Sequence, residues 1–480
     1  MKKYKFFCKR AWLPVIPALA LIFAISFASC DENETTTAKE VVLHDPNAPI
    51  VLTNFEPRHG RIREMVLLRG SNFGTDHSII RVFFNDAEAK VVGSTDDRIL
   101  ALVPRMPGPE SVIRVQIGER SESYPVDETF EYHMAASVTT LAGNGETTRV
   151  FDQGLDRAQL IPVYIGADME GNVFVTDQSD VLIRINERLN IFQVVARGVN
   201  HRSQPYVNPH TNVIQMADEG AGSRDRFFFL DPADGWAPKP KYIRTWDENG
   251  YARPTGGGSG NRSYESRWHL FDVKINDPVT GVERDMYVTR YAGGHIVLID
   301  PITWNAKIIG LTPPGVAYGA AMHPQKPTEM WFAIQEYSEN GDWRNGIYTV
   351  DILDETVGEV GEHTPNVAYL ASFRIMQRFT AGGHRDGPLA SAQFRGVRMI
   401  NFDTDGNLFV GDNHNHCIRM INTSTMMVET LIGIPEQRGW VDGARETAQF
   451  AEVHGIVTDP DNVIYAADFA NRRVRRIAVE

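Results

Sequence analysis

When the strand-like segments in the second half of the chain are aligned on the turns that follow them, Tyr318, Arg398 and His454 share one position. His269 falls there in a further copy, and Val163 holds it in another. Drawn together around one axis, such Tyr, Arg and His side chains make a polar ring that holds water. Histidines from separate copies could also bind a metal and activate a water. No carboxylate stands among them, so neither a metal nor a cofactor is expected. A second set lies in the loops: Trp236, Tyr251, Tyr264, Trp343 and Trp440, with His384, Arg385 and His414, and with His201, Tyr206, Tyr337, His416 and Phe469 beside them. A flat ring with an apolar face and a polar edge suits stacking on the C–H face of a sugar, and several on one rim would form a carbohydrate platform. Taken singly, Trp440 and Phe469 read better as plugs between neighbouring units, and the platform rests on the group.

These side chains depend on a repeat written twice near the end. Residues 380–422 and 431–479 both give a Gly-containing turn, then DG, then AQF, then an apolar run, a turn at Asp405-Gly406 or Asp461-Asn462, a short strand closing on Asp412 or Asp468, a polar loop, and an alternating strand rich in Ile, Val and Arg. A copy of about 50 residues built of short strands, with no helical period, predicts a blade of a β-propeller. The pattern resembles the NHL-repeat family, except that Val397 and Val453 stand where that family has Pro before the inner strand. The strand-ending Asp177, Asp412 and Asp468 recur with the repeat, so they read as structural acceptors for loop N–H groups.

Counting inner strands predicts six blades, beginning near Pro162, Val213, Trp268, Gly315, Gly396 and Val453. The segment VTTLAG at 138–143 is the strand missing after Ala478-Val479, so the ring should close by pairing 138–143 with 451–479, removing two free sheet edges. Two insertions, 247–267 and 353–367, interrupt the pattern; the first interleaves Tyr and Arg in a Gly-rich stretch that reads as a connector or as a binding loop. The propeller is expected to fill 138–480.

Ahead of it, residues 48–133 carry short alternating strands with turns every eight to twelve residues, as in a β-sandwich. Gly70, Asn72, Phe73, Gly74 and Val103-Pro104 make this segment resemble an IPT/TIG domain, which implies an immunoglobulin-like spacer or interaction module. The fold expected is therefore all-β, an immunoglobulin-like sandwich followed by a six-bladed NHL-type propeller.

Residues 1–29 read as a signal peptide: Lys2, Lys3, Lys5, Lys9 and Arg10 precede an apolar run that ends in Ala28-Ser29-Cys30. The ending resembles a bacterial lipobox with Phe27 in place of the usual Leu, which implies lipidation of Cys30 and membrane attachment by lipid alone. Residues 30–47 form an acidic and Thr-rich tether whose start resembles the signal that sends Bacteroidetes lipoproteins to the outer face of the outer membrane. Without residues 1–29 the chain holds 43 basic against 61 acidic residues, net −18. Bulk charge of that sign argues against nucleic acid as a partner. Three cysteines, one of them in the signal and one at the lipid site, leave Cys417 alone and no disulfide framework.

No phosphate-binding loop, nucleophile elbow, zinc-protease motif or dinucleotide fingerprint is present. The architecture resembles accessory lipoproteins of Bacteroidetes polysaccharide-utilisation systems. That resemblance implies non-catalytic capture of a polysaccharide beside a TonB-dependent importer. A protein-docking propeller of the envelope and a lyase or hydrolase acting at the channel mouth remain open beside it.

Overall fold

The computed structural model describes residues 41–105, 110–123, 128–199, 203–218, 226–246, 269–276, 282–291, 294–312, 316–335, 343–352, 368–375 and 383–479. Among these there are strands and single turns of 3-10 helix, and no α-helix. The first unit pairs a seven-stranded sheet with a three-stranded one over a core that includes Phe55, Val66, Leu68, Phe73, Phe84 and Phe130. Phe84 meets Phe130 edge to face at 5.0 Å. Asn72 explains its turn: its amide donates to the carbonyls of Asp45 and Ala48, both at 3.0 Å, and fastens the incoming chain.

Six further sheets form the six blades of a propeller. Blade 1 is Pro162–Ala167, Val173–Asp177, Val181–Asn186 and Ile191–Arg197. Blade 2 is Tyr206–Val207, Ile214–Ala217, Arg226–Leu230 and Pro238–Tyr242. Blade 3 is Phe271–Asn276, Glu283–Arg290, His295–Ile299 and Asn305–Leu311. Blade 4 is Val316–His323, Lys326–Gln335, Trp343–Asp351 and Ala368–Ile375. Blade 5 is Val397–Phe402, Asn407–Asp412, Cys417–Asn422 and Met427–Ile432. Blade 6 takes Val453–Thr458, Ile464–Asp468 and Arg473–Val479 from the end of the chain and Ala136–Ala142 from before blade 1. Val138 pairs with Ile477 and Ser137 with Ala478, antiparallel, which closes the ring.

One boundary differs from the sequence expectation. The inner strand of blade 2 is Tyr206–Val207, and the segment after Val213 is its second strand. Pro205 and Pro209 flank the two-residue inner strand and make it read as loop.

The repeat's Asp residues are the pins of each blade. In blade 5, Asp412 accepts from the backbone N–H of Arg395 (2.7 Å), from the Asn415 amide (2.8 Å) and from Nη1 of Arg419 (3.0 Å). Arg419, fully buried, also reaches Asp386 at 2.6 Å and donates to the carbonyls of Gln393 and Arg385. Blade 6 repeats the set: Asp468 accepts from Ala451 N–H, the Asn471 amide and Arg475, and Arg475 reaches Asp442 at 2.7 Å. In blade 1 the third strand has Ile183 at that position, and Arg149 from the preceding loop reaches Asp177 instead, at 2.8 Å. In blades 5 and 6 the buried ion pair ties the loop entering the blade to its second and third strands, and in blade 1 Arg149 ties that loop to the second strand alone.

Candidate functional site

The inner strands of blades 1, 4, 5 and 6 each slip register just after they begin. The slips span Val163-Tyr164, Tyr318, Arg398-Met399 and His454. A bulge of this kind re-aims the side chain it carries and breaks the ladder locally. Tyr318, Arg398 and His454 therefore leave the regular alternation at the same level of three consecutive blades. They meet there: the Arg398 guanidinium lies 4.7 Å from the centre of the Tyr318 ring. In blades 1, 4 and 6 a glycine after the bulge lets the inner strand approach its neighbour closely. A Cβ on Gly319 would stand 2.5 Å from the carbonyl oxygen of Arg398, and one on Gly166 would stand 2.1 Å from that of Pro205.

His454 is 6% exposed and stacks on Phe469, centroids 4.0 Å apart and planes 8° from parallel. Its Nε2 stands 3.6 Å from Oε2 of Glu452. Its Nδ1, like Nε of Arg398, is buried with no hydrogen-bond partner among the described residues. Burial pushes the His454 pKa down to about 4, with Glu452 opposing and Arg398 and His414 assisting. The ring is thus neutral at pH 7. Glu452 is held below its ordinary range, first by His454 and then by Arg438 and His414, so it is ionised. The sequence reading found no carboxylate in this set; Glu452 supplies one. It was missed because it lies outside the inner strand, just before Val453, where no repeat position marks it.

His414 belongs to the same cluster. Its ring edge packs over Gly396, and the loss of water there lowers its pKa although the residue keeps an exposed surface; Arg395 and Arg398 oppose its charge and Glu452 favours it. The loop residue and the inner-strand residues are one site. His269, by contrast, is fully buried just ahead of blade 3, stacks on Phe271 at 5.7 Å, and is pushed down to about 3 by burial and by Arg290.

Between blades 6 and 1 a cavity of about 290 Å³ opens beside this cluster, lined by Ile161, Gln178, Arg438, Glu452, Phe469, Ala470 and Arg472. Arg472 is oriented by donating from Nη1 to the carbonyl of Gly145 at 2.9 Å. Trp440, two residues from Arg438, is 49% exposed and lies against Arg473, whose guanidinium carbon is 3.6 Å from the ring centre. Its Nε1 donates to Thr140 Oγ1 at 3.4 Å.

The other loop residues lie elsewhere. Because successive strands of a blade run antiparallel, the turns between first and second strands and between third and fourth strands share one face; the cluster is on the opposite face, with the turns between second and third strands. Trp236 sits in the third-to-fourth turn of blade 2, beneath Arg184 (4.6 Å) and against Phe174 (5.8 Å), and so on the face away from the cluster. Arg385 donates through Nε to the carbonyl of Ser391 (2.8 Å), and His384 bonds Thr430, which ties both to their own loop and to the outer strand of blade 5. His416 bonds the carbonyl of Ala451. Trp343 begins the third strand of blade 4. Tyr251, Tyr264, His201, Tyr337 and Cys30 lie outside the described residues.

The first unit meets the propeller on the face away from the cluster. Arg105 reaches Asp403 at 3.4 Å in the first turn of blade 5 and donates to the carbonyl of Asn462 at 3.1 Å in the first turn of blade 6. Among the described residues no three His, Cys, Asp or Glu side chains are grouped to hold a metal ion.

Residues 50–132 match the IPT/TIG domain family. This TIG domain is the immunoglobulin-like unit described above. No curated protein matches the chain in sequence. Among solved structures, a Bacteroides thetaiotaomicron VPI-5482 protein of unknown function is 19% identical, with a TM-score of 0.60, and aligns over 91% of this chain and 100% of its own. An auxiliary nutrient binding protein from the same organism is 20% identical over 91% of this chain and 99% of its own, with a TM-score of 0.51. A second auxiliary nutrient binding protein, from Bacteroides ovatus ATCC 8483, is 20% identical over 91% and 100%, with a TM-score of 0.50. At these identities the likeness is one of fold, TIG domain and propeller together.

Proposed function

We propose that this protein is a non-catalytic glycan-binding lipoprotein of the cell surface, with an NHL-type propeller as the binding unit. The observation that carries the reading is the face on which the cavity lies: an open cavity and, on the loop that supplies its Arg438, a half-exposed Trp440, on the side of the propeller away from the TIG domain contact. An aromatic face beside polar and charged side chains is a usual sugar subsite. The auxiliary nutrient binding role given to two structural neighbours agrees with capture of a nutrient, and the sugar is this chain's share of that proposal. Lipid at Cys30 would hold the chain at the outer membrane, the TIG domain would lie between membrane and propeller, and the cavity face would point outward to deliver polysaccharide to an importer.

Native affinity gels of the purified protein over plant, microbial and host polysaccharides test this reading. Retention on a glycan class that Trp440→Ala weakens supports it. Absence of retention on every glycan overturns it and leaves a protein partner as the ligand.

A further inference from the structure

The charge lining this cavity is opposite in sign to that of the chain. The whole sequence carries 48 basic against 61 acidic residues. Yet the cavity and its border gather Arg438 and Arg472 in the lining, with Arg398 and Arg395 behind His454 and His414, against one lining carboxylate, Glu452. Glu436, on the same loop as Arg438, faces His384. Glu452 is already engaged by His454 at 3.6 Å. Arg472 is fixed in place through one of its five N–H donors by the Gly145 carbonyl, and a guanidinium presents the others in a rigid fork that fits a carboxylate or a sulfate. Gln178 adds an amide and Phe469 an aromatic ring to the lining, and the half-exposed Trp440 follows two residues after Arg438. Two arginines against one carboxylate, with an aromatic ring and an amide, leave the lining of this cavity of about 290 Å³ net positive, which a sugar carrying one negative charge balances and a neutral sugar does not.

Resting on the glycan-binding reading, we propose that the cavity between blades 6 and 1 is a subsite for an anionic sugar residue, bound through its carboxylate or sulfate ester by Arg438 and Arg472. A polymer running from this cavity over Trp440 is held by charge at one residue and by stacking at the next. Neutral residues of the same polymer take the aromatic surface.

The test compares binding of the full protein to polygalacturonate, to the same polymer methyl-esterified, to dextran sulfate and to unsulfated dextran, by calorimetry and in affinity gels. Binding to a free acid or a sulfated polymer is expected to be at least about tenfold tighter than to its neutralised counterpart, the worth of one charge-assisted hydrogen bond. Arg438→Gln and Arg472→Gln should each remove that preference, whereas Arg61→Gln on the TIG domain should not. Arg438 is exposed, so its variant reports binding without a folding defect. Preference for the carboxylate arm or the sulfate arm decides which anion is taken. Equal binding to acid and ester forms overturns the anionic subsite while leaving glycan binding intact. Failure to bind any of the polymers overturns both.

Discussion

The imidazole of His454 lies face to face with the ring of Phe469 at 4.0 Å, so the residue at the bulge of blade 6 is clamped by the loop that joins the second and third strands of the same blade. The stack buries one ring nitrogen without a partner and leaves the other to Glu452. A side chain held in that way is kept neutral by its surroundings, and the cost of charging it falls on the folded state.

That cost is visible as a pH dependence. The unfolded chain takes up a proton at His454 below a pH of about 6.5, whereas the folded protein resists until about 4. The contribution of His454 to stability should therefore be level above 6.5 and fall as the pH drops from there towards 4. His269, held down to about 3, contributes in the same direction. Urea unfolding at steps between pH 7 and pH 4 should show a slope that flattens in His454→Gln; an unchanged slope would remove His454 as its source.

Arg475 is buried between Asp468 and Asp442 and also serves two backbone carbonyls, of Gln449 and Val441. Arg475→Met leaves Asp468 buried without its cation, and a loss of about 3–5 kcal/mol is expected. Asp468→Asn combined with Arg475→Met should cost less than the two single losses added, because the pair acts as a unit. Chemical denaturation of the four proteins measures this coupling, and strict additivity would contradict it.

Gly319 is where blade 4 meets blade 5. A Cβ there would lie 2.5 Å from the Arg398 carbonyl, 2.7 Å from Cα of Met399 and 2.8 Å from the nitrogen of Ile400, all backbone atoms that cannot swing aside. Gly319→Ala should cost about 1–3 kcal/mol. It should also displace Arg398, so ligand affinity falls in the same variant, whereas Ala320→Gly should lower stability with little effect on binding.

Arg105 is a polar tie between TIG domain and propeller, reaching Asp403 and the carbonyl of Asn462. Burial raises the Asp403 pKa, and Arg105 acts against that rise. Arg105→Ala should loosen the two units without unfolding either. Small-angle scattering should then report a broader distribution of maximum dimensions, and thermal unfolding should separate into two steps. A scattering curve identical to that of the parent would mean that other contacts, such as the shared apolar core, hold the two units together.

Much of this was legible in the chain. The repeated AQF, the Asp at strand ends and the DG turns fix hydrogen bonds over a few residues, so six blades and an all-β fold follow from local pattern, as does the closing strand before blade 1. Degenerate copies carried less: the inner strand of blade 2 was hidden because Pro205 and Pro209 suppress the alternation by which a strand is read. The strand-ending Asp residues were identifiable as structural acceptors, but not the arginines of Asp412 and Asp468, since those partners come from the third strand of the same blade.

What the sequence by itself determined is the set of elements, because their signals are short-range. Only the tertiary structure decided the site. The bulges bring Tyr318, Arg398 and His454 from three blades to one level, and ring closure places Ile161 and Gln178 of blade 1 against Glu452 and Arg472 of blade 6 across about 300 residues of chain. Spatial neighbours at that separation obey no period, so His414 and His454 read as parts of two constellations until the fold joined them through Glu452.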